Sequence, residues 1–247
     1  MIRSLLVFMA IATSFSVSAA GAGALKITPL GKADAKVSGV LYRNCTGEPD
    51  TFNPINASDM SSRYVYENVV QGLLHVNPDT YDYEPELAER YEVSKDFLTY
   101  TFFLDKDAKF SDGHPVTAED VKFSIEAVRD PAWTAAHRMP YFEDIDTIEV
   151  VNPLTVKVKM KKKYFKNLMV IGTAGFNPIV PKHIYTDPKK KFPIAPVFGS
   201  GPYKVESYDR GKSFTLVRDP NFWGANKPAL AGQGKFERIT FRFIKEE

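Results

Sequence analysis

From Leu87 to Val128 the hydrophobic and polar positions alternate, break, and then change period. Tyr91-Glu92-Val93 and Leu98 to Leu104 are rich in β-branched and aromatic residues. They read as two strands joined by the turn chemistry of Ser94-Lys95-Asp96. Asp105-Lys106-Asp107 ends the alternation. Ser111-Asp112-Gly113-His114-Pro115 is a second turn, with Gly113 supplying a positive φ and Pro115 fixing the exit. Thr117 is placed as an N-cap, and Asp120 three residues later completes a near capping box. Val121, Ile125 and Val128 then recur at helical spacing, and Asp130-Pro131 stops the helix.

The same reading extends outward. Val37 to Tyr42 is a first strand, followed by a loop over 44–57 that Gly47, Pro49 and Pro54 keep irregular. Ser58 or Asp59 caps a helix whose buried stripe is Tyr66, Val69, Val70 and Leu73. Leu74 to Val76 and Tyr81 to Tyr83 flank the hairpin signal Asn77-Pro78-Asp79-Thr80. Ile145 to Val151 and Thr155 to Met160 turn at Asn152-Pro153, and Tyr164 to Ile171 is a short helix. Thr186 to Val197, with Pro188, Pro193 and Pro196, is the linker where the chain crosses between lobes. Val205 to Tyr208, Phe214 to Val217 and Ile239 to Ile244 are further strands. Lys157 and Lys159 alternate with Val156, Val158 and Met160, so the lysines share one face. That face is read as solvated and guarded against edge pairing rather than as a polyanion site. Lys189-Lys190-Lys191 is read as solvated too.

Composition narrows the class without choosing within it. The chain has 247 residues, 44% hydrophobic and 25% charged, enough for one large or two small globular domains. Arg3, the apolar run Leu5 to Val17 and the small residues Ser18 to Ala22 predict a cleavable signal peptide over 1–22. A mobile arm over 23–35 follows. The mature protein is therefore expected to be exported and soluble. Cys45 is the single cysteine, so no intrachain disulfide forms. It stands away from the cleavage site, which favours a free periplasmic protein over a lipid-anchored one. The formal charge is +2, and the near balance argues against nucleic acid as a partner.

Catalytic and metal chemistry find no motif. His75, His114, His137 and His183 stand at no metal-ligand spacing from one another, and His114 is read as solvated. Gly199-Ser200-Gly201 is neither a nucleophile elbow nor a phosphate loop. No catalytic residue, metal ligand or cofactor is therefore assigned, and the chain is read as a non-enzyme.

The positions that carry a family resemblance lie mostly in the first stretch. They are Leu87-Ala88-Glu89, Phe97, Tyr100, Phe102, Leu104, Ala108, Lys109-Phe110, Asp112-Gly113, Pro115 to Val121 and Phe123-Ser124. Gly47-Glu48-Pro49-Asp50 with Phe52-Asn53-Pro54, Val180 to His183, Gly199 to Tyr203 and Arg218 to Gly224 add to them. Together they closely resemble the family-5 solute-binding proteins of bacterial ABC importers, the peptide and nickel binders. Asp105 and Asp219 depart from the family pattern.

The resemblance implies an α/β, periplasmic-binding-protein-like fold of two lobes, type II or cluster C-like. It places 36–56 and 192–247 in a partial large lobe and 57–191 in an inserted small domain. Because family members are much longer, the chain is expected to be a fragment lacking the second lobe. Such a half trap would bind weakly and tend to aggregate. The implied function is capture of oligopeptides or dipeptides in the periplasm and delivery to the ABC permease membrane subunits, by a monomer that closes about a hinge. The implied ligand-binding residues are Glu48, Pro49, Phe52, Tyr141, Gly199, Ser200 and Gly201, with Phe52 serving either as ligand contact or as core plug. Nickel, an opine or an oligosaccharide is an alternative ligand within the family. A periplasmic hydrolase is the alternative of another class.

Overall fold

The computed structural model describes residues 31–187 and 197–244. The expected signal peptide, most of the mobile arm and the proline-rich stretch with Lys189-Lys190-Lys191 lie outside the described residues.

Two four-stranded sheets and a short hairpin make up the β-structure among the described residues. The first sheet takes its strands from the two ends of the described chain: β1 (Val40–Cys45), β8 (Tyr203–Asp209), β9 (Ser213–Arg218) and β10 (Arg238–Phe243). Their order is β1-β10-β9-β8. β1 runs parallel to β10, with Val40 opposite Arg238 and Cys45 opposite Phe243, and the other pairs are antiparallel. Alternation sends Phe214, Leu216, Ile239 and Phe241 into the core, as a half-buried sheet requires. Helix α1 (Met60–Val69) lies on this sheet, with Tyr64 stacked on Phe241 at 5.3 Å between ring centroids. Asp59 is its cap, accepting a hydrogen bond from the Ser62 amide at 2.9 Å. The expected stripe Tyr66, Val69, Val70 and Leu73 is buried, although the helix itself ends at Val69.

The second sheet is antiparallel and formed from β4 (Ala88–Val93), β5 (Thr99–Leu104), β6 (Ile145–Asn152) and β7 (Thr155–Met160), in the order β4-β5-β7-β6. Tyr100, Phe102 and Leu104 on β5 and Val156, Val158 and Met160 on β7 point inward. Helix α2 (Ala118–Arg129) covers that face with Val121, Ile125 and Val128. A three-residue turn, Pro131–Trp133, and the short helix α3 (Met139–Phe142) follow, and α4 (Asn167–Gly172) comes after β7. The hairpin pairs β2 (Leu74–Val76) with β3 (Tyr83–Pro85).

Three sequence expectations are corrected. β7 is not an edge strand, since β5 and β6 pair with it on both sides. Its lysines instead meet carboxylates on β6, Lys159 with Asp146 at 3.0 Å and Lys157 with Glu149 at 4.0 Å. β1 starts three residues later than expected, because Gly39 adopts φ +70° and the Ser38 amide is engaged by the Lys235 carbonyl. β3 is likewise displaced, because Tyr81 sits in the turn with φ +61°.

Candidate functional site

A cleft of about 380 Å³ opens where the N-terminal end of α1 faces α3 and the turn at Gly175-Phe176. Its floor depends on one buried cation. Arg138 precedes α3 and is only 4% exposed. Its guanidinium donates to the carbonyls of Pro54 at 2.6 Å, Ile55 at 3.4 Å and Ala57 at 3.3 Å. It also lies 5.4 Å from the Tyr66 ring centroid. Among the described residues no carboxylate forms an ion pair with it. Burial lowers its pKa from the ordinary guanidinium range, and it stays charged because that range is so high.

The rest of the wall extends this character. His137 Nε2 lies 3.1 Å from the Ala57 carbonyl, and burial together with the Arg138 charge lowers its pKa. A neutral imidazole is thereby favoured, donating to that carbonyl. Arg63 on α1 is half exposed and pairs with Glu67 at 2.5 Å. Tyr141 is 49% exposed and meets Phe176 edge to face at 5.0 Å. Met60 is exposed at the rim. The cleft is thus a cationic floor with an aromatic lip, a combination suited to a small ligand bearing a carboxylate and an apolar part.

The other expected ligand residues are placed elsewhere. Phe52 is 1% exposed, edge to face with Tyr208 and with Phe214 at 5.7 Å each. Of its two expected roles, the structure displays the core plug. Pro49 is buried beside it in the same loop. Glu48 is exposed, but its carboxylate accepts from the Tyr208 hydroxyl and from the Gly211 amide at 3.0 Å. Those two donors hold its pKa below the usual carboxylate range. Glu48 therefore ties the loop to the β8–β9 turn.

Gly199, Ser200 and Gly201 pack against the end of α1. The Gly201 amide donates to the Val69 carbonyl at 2.9 Å, and the Gly199 carbonyl accepts from the Ser111 amide at 2.8 Å. Ser200 is 2% exposed. A Cβ at Gly199 would stand 2.0 Å from the Val69 oxygen, so this glycine is required by close backbone approach. Of the expected set, only Tyr141 lines the cleft.

Arg138, His137, Arg63 and Phe176 were not anticipated. α3 is only four residues long, so it leaves no periodic signal, and the carbonyls that hold Arg138 lie 81 to 84 positions earlier. The fold also brings His114 and His183 together, which spacing along the chain did not suggest. Their ring centroids are 4.2 Å apart, and both imidazoles face Asp112.

A family model described as bacterial extracellular solute-binding proteins, family 5 Middle, matches residues 82–247. Dipeptide-binding protein DppE of Bacillus subtilis is 31% identical over 208 residues, covering 76% of this chain and 38% of DppE. Among solved structures, the A. tumefaciens R10 binding protein AgaA in complex with agropinic acid superposes with a TM-score of 0.73. It is 28% identical and covers 83% of this chain and 40% of AgaA. NikZ of Campylobacter jejuni in complex with Ni(L-His) superposes at 0.68, with 28% identity, covering 85% of this chain and 39% of NikZ. The α/β architecture is therefore that of the two-lobed periplasmic binding proteins, and the chain spans about two fifths of the length of these relatives.

Proposed function

The chain belongs to the bacterial extracellular solute-binding proteins of family 5, and from that premise we propose that it captures a small peptide in the periplasm and presents it to an ABC permease. Members of this family bind small ligands and deliver them to such permeases; the family is one of binding proteins, not enzymes. One observation carries the choice of a peptide: Arg138, buried beneath the cleft with carbonyls as partners and Arg63 at the wall. A ligand carboxylate supplies the charge that this floor lacks. Tyr141 and Phe176 offer apolar surface to an adjoining side chain.

The lobes follow the two sheets. We assign β1, α1, β8, β9 and β10 to the large lobe and the second sheet with α2 to the small domain. The division after α1, in place of 57, rests on the Tyr64–Phe241 stack. Capture then proceeds by hinge closure, which needs a ligand that favours the closed state.

Calorimetry tests the reading with a dipeptide and its C-terminally amidated form. The free carboxylate should bind at least tenfold more tightly, since a charge-assisted hydrogen bond is worth about 1.5–3 kcal/mol. Arg63→Ala should narrow that gap. Equal affinity for both forms refutes the carboxylate seat. Saturable binding of a nickel chelate or an opine with no response to dipeptides would transfer the assignment to that ligand class.

A further inference from the structure

We propose that Asp112, His114 and His183 form a binding site for a borderline divalent transition-metal ion of the Zn2+ type, separate from the ligand cleft. One donor atom from each residue lies within 4.8 Å of the other two. His183 Nε2 is 2.7 Å and His114 Nδ1 is 3.3 Å from the same carboxylate oxygen, Asp112 Oδ2. Tetrahedral zinc with bonds of about 2.0–2.1 Å holds its ligands roughly 3.3 Å apart. Small side-chain rotations therefore convert the hydrogen-bonded cluster into a coordination site. Two imidazoles and one carboxylate leave a fourth position for water, the arrangement of open zinc sites.

The backbone holds these side chains in place without the ion. The His114 amide donates to Asp112 Oδ1 at 3.1 Å, so that oxygen is engaged and Oδ2 is turned to the imidazoles. Gly113 adopts φ +91° and its amide donates to the Phe110 carbonyl at 2.9 Å. His183 rides on a turn in which the Lys182 amide donates to Asp120 Oδ1 at 2.9 Å. The Val180 amide donates to Ser124 Oγ at 3.0 Å, anchoring the same turn to α2. The Phe110 ring lies edge to face with His183 at 6.3 Å.

The neighbouring cations are already paired. Lys182 meets Glu119 at 3.0 Å, and Lys204 meets Asp219 at 3.0 Å. The site is reachable, because the His114 and His183 side chains are 62% and 38% exposed while Asp112 is 18% exposed. An ion here joins the turn at 111–114 to the turn at 181–185. It would brace the small domain against the loop at Gly199, to which the Ser111 amide is bonded at 2.8 Å.

The test is calorimetry and thermal denaturation with ZnCl2, on protein purified without a polyhistidine tag and stripped with a chelator. One Zn2+ per chain, a micromolar or tighter Kd and a rise in Tm are expected. Affinity should fall at least tenfold in His114→Ala and in His183→Ala. Absence of saturable binding overturns the proposal, as does unchanged affinity in the double variant. Should a variant fail to fold, Cu2+ on the wild-type protein gives a second reading. Its electron paramagnetic resonance should display coupling to two imidazole nitrogens, and fewer than two overturns the site.

Discussion

Two glycines that look alike in sequence are needed for different reasons. Gly113 has φ +91°, and nothing stands within 4 Å of where its Cβ would be. Gly113→Val should therefore cost only backbone strain, about 1–3 kcal/mol. Gly199 has no positive φ, but its Cβ would collide with the Val69 oxygen. Gly199→Ala should cost about 3 kcal/mol or more, because backbone rather than a side chain must shift. Urea unfolding of both variants checks the order, and a milder loss at Gly199 would contradict it.

Glu86 offers a pH signature. Burial raises its pKa from 4.5 to about 7, although the Gly72 amide donates to it at 2.8 Å. Between those values the native chain keeps a proton that the unfolded chain releases. Its contribution is thus complete below about pH 4.5 and is lost as pH rises through 7. Glu86→Gln keeps an acceptor for Gly72 and should flatten the fall in Tm between pH 5 and 8. An unchanged slope would rule out Glu86 as its source.

At the level of elements, α2 was legible because local and distant requirements coincide there. Asp120 Oδ2 accepts from the Thr117 amide at 2.9 Å, which the capping pattern predicted. Its other oxygen accepts from the Lys182 amide, 62 residues away, which no local pattern could contain. Asp120→Ala should therefore cost more than a cap alone, about 2–3 kcal/mol rather than about 1. A loss near 1 kcal/mol in thermal unfolding would mean that the Lys182 bond adds little.

The strands were legible by alternation, yet alternation is silent about neighbours, so β7 was given the wrong place in its sheet. The cleft was the least legible part. It gathers Ala57 to Arg63, His137 to Tyr141 and Gly175-Phe176 from three separate stretches. Its central residue, Arg138, has the exposed-surface chemistry of any arginine until the loop folds over it. Glu48 and Gly199 were noticed for the right pattern, but the pattern serves packing: one ties a turn, the other admits a helix end.

Across the molecule, the two sheets differ in how far apart their strands lie along the chain. β4, β5, β6 and β7 all fall within 88–160, whereas β1 pairs with β10 alone, Val40 beside Arg238. A ribosome therefore releases β1 long before its hydrogen-bonding partner exists, while the second sheet can assemble as soon as Met160 emerges. Loop closure over such a span is slow relative to local pairing. Pulse-labelled amide exchange during refolding should find β5 and β7 protected before β1, and simultaneous protection would contradict this order. Meanwhile an unpaired Val40–Cys45 leaves the large lobe open, so a nascent chain bound for export stays threadable until its last strand is made.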